Sequence, residues 1–169
     1  MKTAITLLFL GTLAGVAFAG SLAPTRPSQV VTVQTGGTTC SGSSNNKLDT
    51  IVNADGSTGP FTIPAGQVFV ITEAEARGDG GAPFGTNQHN GQVLLYRNGP
   101  GPAALISIDI GTLGSAGTSR PAFSAPPHSF PTGVVVKAGT EICVNAINLS
   151  TGTLITGNAV VHGFFARDK

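Results

Sequence analysis

The sequence contains few charged side chains. Asp, Glu, Lys and Arg make up 10% of its 169 residues, against about a quarter in an average soluble domain. Nine basic residues nearly balance eight acidic ones, and neither sign forms a run. The basic patch that nucleic acids or anionic membranes require is therefore missing, and we expect neither as a partner. Solubility must come largely from Ser, Thr, Asn, Gln and backbone amides.

Aromatic side chains and the common catalytic motifs are also scarce. The chain has no Trp and one Tyr, Tyr96, so it lacks the stacking platforms that a sugar-binding cleft normally offers. Its three histidines, His89, His128 and His162, show no HxH or HExxH spacing, and there is no GxSxG or CxxC motif. These absences favour a non-catalytic protein, and we expect no metal ion and no cofactor.

A long apolar stretch occurs only at the start of the chain. Lys2 precedes an apolar segment from 4 to 16, and Ala17-Phe18-Ala19 then fits the small-x-small pattern of a cleavage site. The pattern predicts a signal peptide over 1–19; a retained N-terminal anchor is the alternative. No later stretch approaches the roughly 20 apolar residues of a membrane helix. We therefore expect an exported protein, extracellular or periplasmic, with no membrane span.

The chain contains two cysteines, Cys40 and Cys143. In an oxidising compartment an even pair predicts a disulfide rather than two free thiols. Alternation after Glu141 places Ile142 and Val144 on one face of a strand and Cys143 on the other. If the first face is the core, the bond fastens the N-terminal arm over the sheet.

The residues that are abundant point to an all-β fold. Gly and Pro are frequent, and helix-forming runs are too sparse for long amphipathic helices. A phrase of Ala-Gly followed by a branched, apolar strand occurs twice, at 63–72 and 136–145. We predict a two-sheet antiparallel β-sandwich, jelly-roll-like, with about eight to ten strands. Residues 20–46 form an N-terminal arm with an edge strand, and 47–169 form the sandwich domain.

Two segments are predicted to lie outside the regular strands. The segment 121–131 contains four prolines and is too proline-rich for a central strand, so we expect it to pack across an open end of the sandwich. The segment from Arg77 to Gly91 is the longest polar loop. Loops on rigid sandwiches often carry binding residues.

The polar loop is the candidate ligand-binding site, with Asp79, Asn87, Gln88 and His89 as polar contacts. Glycines there let the backbone approach a ligand, while short amides and a carboxylate supply donors and acceptors. A flexible, solvated connection is the alternative. One carboxylate is too few for a tight calcium site.

A pair of glutamates gives a second, weaker candidate. Glu73 and Glu75 alternate on one strand, so both side chains should project from the same face about 7 Å apart, a spacing compatible with glycoside hydrolysis. The alternative is a solvated strand end, with Arg77 as the ion-pair partner. We expect His162 to be a half-buried structural residue rather than a ligand.

The sequence thus predicts an exported, non-catalytic β-sandwich that serves as a binding or extracellular assembly module with an unknown ligand. A subunit that exchanges its apolar arm, Val30–Val33, with a neighbour is one form of this hypothesis. The alternative is a small secreted hydrolase or lyase that acts on a polysaccharide through Glu73, Glu75, Asp79 or His89. A glycosylation sequon begins at Asn148, and its use depends on the source.

Overall fold

The computed structural model describes residues 30–53, 55–79, 91–98, 103–112, 122–148 and 154–169. Within these ranges the chain forms nine β-strands and no helix. The strands are β1 (Val30–Thr39), β2 (Asn46–Val52), β3 (Thr58–Pro60), β4 (Gln67–Asp79), β5 (Gly91–Asn98), β6 (Ala103–Thr112), β7 (Ala122–Lys137), β8 (Glu141–Asn148) and β9 (Leu154–Arg167). None of the described residues forms a helix that is long and apolar enough to cross a membrane.

All strand pairings are antiparallel, and the strands follow the order β1-β9-β4-β7-β6-β5-β8-β2-β3. Additional pairings of β1 with β2, the last strand but one, and of β8 with β9 connect the two halves of this series. The all-β, antiparallel prediction is therefore confirmed. The sheet is a nearly closed, barrel-like arrangement, and its order of strands shows no break that would separate two sheets.

The core lies inside this sheet and follows strand alternation. Its largest fully buried side chains include Phe69, Ile71, Leu95 and Ile108. Phe61, Phe69 and Phe165 pack against one another, with the ring centroids of Phe61 and Phe69 5.1 Å apart. Such edge-to-face pairs stabilise a core beyond the area that they bury.

Both Ala-Gly phrases form tight turns. Gly66 and Gly139 have φ of 74° and 76°, a region that glycine enters without steric cost. Each turn is closed by one backbone hydrogen bond, from Gln67 N to the Pro64 carbonyl at 3.1 Å and from Thr140 N to the Lys137 carbonyl at 3.2 Å. The repeated phrase therefore has the same turn function at both positions.

A bulge at Thr72 reverses the alternation of β4. Ile71 pairs with Gly163, whereas Glu73 pairs with His162, so Thr72 is the extra residue on β4. Core residues occupy odd positions before the bulge, including Ile71, and even positions after it, Ala74 and Ala76. A bulge inserts one residue and thereby re-aims the side chains that follow. Glu73 and Glu75 consequently face away from the core.

The proline-rich segment was expected outside the sheet, and this prediction is wrong. Residues 122–137 form β7, which pairs with β4 along its length. The ladder skips Pro126 and Pro127, since Ala125 pairs with Ala76 and His128 with Ala74. On its other side, in the described part of the chain, β7 pairs with β6 through Ser124 and Phe123. Prolines are tolerated because they lie at bulges and along a largely unpaired edge, where no ladder donor is lost.

The position of β1 in the sheet and the bounds of the polar loop also differ from expectation. β1, predicted as an edge strand, pairs with β9 on one side and with β2 on the other. Gly78 and Asp79, predicted to open the polar loop, are the last residues of β4, and Gly91 is the first residue of β5. The connection between β4 and β5 is therefore shorter than the predicted loop, because residues at both ends of that loop belong to strands.

Candidate functional site

The predicted ligand-binding residues lie largely outside the described residues. The backbone of Asp79 pairs with Ala122 and Thr156 at the end of β4, but its side chain lies outside the description. Asn87, Gln88 and His89 lie outside it entirely. The loop hypothesis therefore remains a prediction, and the described residues direct attention to two other regions.

The first region is organised around the disulfide. Cys40 and Cys143 are bonded, with Cα atoms 6.0 Å apart, and both are buried. Ile142 and Val144 belong to the core cluster, so Cys143 lies on the opposite face of β8, as alternation predicts. The pairing is confirmed, and it fastens the connection between β1 and β2 onto β8.

Glu141 is the centre of a hydrogen-bond network beside this disulfide. Its carboxylate accepts hydrogen bonds from Lys47 Nζ at 2.8 Å, Asn98 Nδ2 at 2.8 Å and Ser41 N at 3.0 Å. The hydrogen bonds from Lys47, Asn98 and Ser41, in that order, lower the pKa of Glu141 to about 2. We call these four residues the Glu141 network. Because its members satisfy one another, it serves to hold the β1–β2 connection against β8 and β5.

A cavity of about 290 Å³ adjoins the Glu141 network. Leu48, Phe61 and Ile63 give it an apolar wall, and Lys47 and Glu141 are its charged lining residues. These two are 2.8 Å apart and neutralise each other. The cavity is therefore a small apolar groove without an uncommitted charge to orient a polar ligand.

The second region is a cluster of ionisable side chains on the face of β4 and β9 that points away from the core. Glu73 and Glu75 of β4 and His162 of β9 place one carboxylate oxygen each and one imidazole nitrogen within 4.8 Å of one another. All three side chains are half-buried. We call them the Glu-Glu-His cluster, and we call the face of β1, β9, β4 and β7 that points away from the core the outer face.

The bulge at Thr72 and the neighbouring strand β1 assemble this cluster. The bulge places Glu73 opposite His162, and Thr72 Oγ1 donates a hydrogen bond to the His162 carbonyl at 3.2 Å. Thr32 of β1 pairs with His162 from the other side, and its Oγ1 lies 2.9 Å from His162 Nδ1. Backbone and side chain of His162 are thus both held.

Gly163 allows the close approach of β9 to β4 at this point. A Cβ atom there would collide with the Val70 carbonyl and with the Phe69 ring. Only glycine fits, and the residue before it is thereby carried close to the glutamates. The local sequence His162-Gly163 is therefore part of how the cluster is built.

The electrostatics of the two regions differ. The ion pairs formed by the described side chains are Lys47–Glu141 and Lys137–Asp168. In the same part of the chain, no side chain donates a hydrogen bond to Glu73 or Glu75. Arg77, predicted as their partner, has its backbone in β4, but its side chain lies outside the described residues, so that pairing stays a prediction.

The cluster also bears on the glycosidase hypothesis. One carboxylate oxygen of Glu73 lies within 4.8 Å of one of Glu75, so the two groups are close enough for the paired carboxylates of a retaining enzyme to be considered. Phe164, the next outward-facing residue of β9, is 5% exposed and offers no platform for a sugar. Tyr96 belongs to β5, two strands beyond β7 in the sheet order, and its hydroxyl is engaged by Asn45.

Sequence reasoning found the two glutamates but not the third member. Glu73 and Glu75 are neighbours by alternation, whereas His162 joins them only through the pairing of β4 with β9. Comparisons with protein-family models, with curated proteins and with solved structures find no significant match to this chain.

Proposed function

We propose that the protein is an exported, non-catalytic binding or assembly module that works through its outer face. The observation that carries this proposal is the position of the Glu-Glu-His cluster. Within the described ranges it is the set of ionisable groups that converges without mutual hydrogen bonds, and it lies on the face of the sheet that points away from the core. Such a site suits recognition of a surface better than enclosure of a substrate.

An apolar row lies beside the cluster on the same face. Val30, Phe164, Val70 and Val135 are paired in register across β1, β9, β4 and β7. Phe164 and Val70, in the middle of the row, are 5% and 2% exposed. Val30 and Val135, at its ends, are 46% and 45% exposed. A polar row next to an apolar one resembles the mixed character of protein interfaces.

The export part of the proposal rests on the predicted signal peptide and on the disulfide. A buried bond between Cys40 and Cys143 fits a protein that matures in an oxidising compartment. We expect N-terminal sequencing of the mature protein to begin at Gly20. Retention of Met1 would overturn this part.

We further propose that the barrel-like sheet is organised as a jelly roll. One layer would contain β1, β9, β4 and β7, and the other β2, β8, β5 and β6. Among the described residues, β6 and β7, which would join the layers on one side, pair through two residue pairs, whereas β4–β9 and β5–β8 pair over most of their length. The other junction, between β1 and β2, spans five residue pairs, so the support for two layers comes from the β6–β7 side.

Mutation of the apolar row tests the assembly proposal. Val135→Lys places a charge at the exposed end of the row, while Ala138→Lys adds the same charge in the exposed turn after β7 and serves as the control. If copies assemble through the outer face, native mass spectrometry of the mature protein should show smaller species for Val135→Lys only. Equal oligomer distributions for both variants and the wild type would remove self-assembly from the proposal.

The loop between β4 and β5 remains a proposed contributor to ligand contact through Asp79, Asn87, Gln88 and His89. Its replacement should respect the strands, so an Asn-Gly turn should substitute residues 80–90 and leave Asp79 and Gly91 in place. A matched control shortens the connection between β6 and β7. If the first variant keeps every binding and assembly property, the loop is only a connection.

The alternative function is hydrolysis or elimination on a polysaccharide. The approach of Glu73 to Glu75 favours it, because retaining glycosidases use two close carboxylates. Turnover of a polysaccharide by wild type that disappears in both Glu73→Gln and Glu75→Gln would establish this alternative. Equal rates in the wild type and in both variants would exclude a catalytic role for the pair.

A further inference from the structure

We propose that Glu73, Glu75 and His162 form a binding site for a divalent transition-metal ion of the zinc type. The inference rests on the proposed binding role of the Glu-Glu-His cluster and names an ion for it, but it depends neither on export nor on self-assembly through the apolar row. It also contradicts our expectation from the sequence, which contained no metal-binding motif.

The chemistry of the donors selects the class of ion. One imidazole and two carboxylates combine a nitrogen donor with oxygen donors, a set that suits zinc and its neighbours, whereas calcium and magnesium prefer oxygen alone. Three protein donors leave a coordination position open, as in zinc sites that accept water or a ligand.

The geometry places the donors close to coordination distance. Two donors bound to one ion at about 2.0–2.2 Å each cannot be further apart than about 4.4 Å, and the donor atoms of the cluster lie within 4.8 Å of one another. Rotation about the side-chain bonds of the two glutamates is sufficient to close this difference. All three residues are carried by paired strands, which position donors more accurately than loops.

The contact with Thr32 is an independent feature of a metal-binding histidine. Histidine ligands usually bind the metal through one ring nitrogen and donate the other N–H to a fixed acceptor, which sets the tautomer. The Thr32 hydroxyl lies 2.9 Å from His162 Nδ1. With Nδ1–H donating to that hydroxyl, Nε2 keeps its lone pair for the ion.

A bound cation would also account for two carboxylates that are kept together on a half-buried face. Like charges this close repel each other, and a cation between them would relieve that repulsion. Lys47 and Lys137 have other acidic partners, and Arg77 is the remaining rival for this role on β4. The experiment must therefore distinguish a metal ion from Arg77.

The test is zinc binding by the untagged mature protein after treatment with EDTA and removal of the chelator. Isothermal titration calorimetry should give one saturable site per chain. When cobalt(II) replaces zinc, its absorption spectrum should indicate a low coordination number of the bound ion. Glu73→Gln, Glu75→Gln and His162→Gln should each lower affinity more than the about 10–100-fold that is typical for loss of an outer partner. Thr32→Val should lower it by about 10–100-fold.

Control variants show whether side chains outside the cluster hold the ion. Asp109→Asn removes an exposed carboxylate on β6 that accepts a hydrogen bond from Gln92 at 3.0 Å, and it should leave the affinity unchanged. His128→Gln removes an exposed histidine of β7, and Arg77→Gln removes the rival cation; both should keep the site. Circular dichroism and the melting temperature in EDTA verify that each variant is folded.

The proposal is overturned by any of the following results. These are absence of saturable zinc binding to the wild type, wild-type affinity in the three cluster variants, and a site that disappears only in His128→Gln. Zinc binding that appears only in Arg77→Gln overturns it too, because the native cluster would then be occupied by arginine.

Discussion

Glu141 and the pair Glu73 and Glu75 lie in different regions of one sheet and have contrasting surroundings. Glu141 accepts hydrogen bonds from a lysine, an asparagine and a backbone amide, and its pKa falls to about 2. Glu73 and Glu75 face each other and a histidine, with no described side chain donating a hydrogen bond to either. Both regions are half-buried, so exposure does not account for the difference.

The contrast separates a carboxylate that builds the fold from a pair that is available to a ligand. Charged hydrogen bonds that satisfy each other fix a connection and leave no capacity for a partner. Carboxylates placed side by side without donors cost stability unless something neutralises them. We therefore assign a structural role to the Glu141 network and propose the outer face as the site of binding, and four predictions test this assignment.

The largest effect is expected from loss of the disulfide. Cys40→Ser combined with Cys143→Ser opens a loop of 103 residues, and the chain-entropy model assigns about 4–5 kcal/mol to its closure. Urea denaturation should show this loss in the free energy of unfolding. An equal stability of wild type and double variant would show that the core alone holds the β1–β2 connection.

Zinc should stabilise the wild type through the Glu-Glu-His cluster. A ligand that binds only the folded state adds about 2.7 kcal/mol at a free concentration of 100 times its Kd. The rise in the midpoint of urea denaturation should be absent in Glu73→Gln and present in Asp109→Asn. A rise in all three proteins would place the binding elsewhere.

Glu141→Gln should destabilise the protein by about 1–2 kcal/mol at neutral pH, because hydrogen bonds to a charged group are lost. The folded-state pKa of Glu141 is depressed from 4.5 to about 2. Its contribution is thus complete above pH 4.5 and declines as the pH falls from 4.5 towards 2. Denaturation as a function of pH should show a smaller loss of stability across this window in the variant.

Some acid dependence should survive in Glu141→Gln. Burial raises the pKa of Asp49, but hydrogen bonds from Thr38 and Thr50 more than offset this, so its pKa is lowered. Asp49 is present in both proteins and titrates in both. An unchanged pH profile in the variant would show that Glu141 does not carry the network.

The smallest effect on the free energy of unfolding is expected from Glu73→Gln in the presence of EDTA. Its sign should be opposite to the destabilisation expected for Glu141→Gln. Removal of one like charge from the pair should leave stability unchanged or raise it by less than about 1 kcal/mol. Any gain should diminish at high salt, because salt screens exposed charges. A clear destabilisation would mean that Glu73 has a structural partner, with Arg77 the first residue to test.

Local patterns predicted the turns, the disulfide and most strands. Ala-Gly determined both tight turns because glycine alone enters that region of φ without strain. Alternation around Cys143 placed the sulfur on the correct face of β8. These features depend on a few neighbouring residues, so a short stretch of sequence is enough to specify each of them.

The features that could not be predicted depend on pairing between strands that are distant in sequence. The prolines of β7 argued against a strand, yet they fall where the ladder with β4 skips a position. The approach of His162 to Glu73 depends on the bulge at Thr72, and no local signal specifies a bulge there. Gly163 is a weak sequence signal for the close approach of β9 to β4, since a glycine inside a strand often indicates close approach of another backbone.

The pairing of β1 with β9 has a consequence for how the chain acquires its structure. β1 is the first described strand and β9 the last, and they join over five residue pairs. Contacts between segments so distant in sequence carry a large entropic cost before they stabilise anything, and folds rich in them form in milliseconds to seconds rather than microseconds. The ring of strands therefore stays open until β9 has been synthesised and has paired with β1.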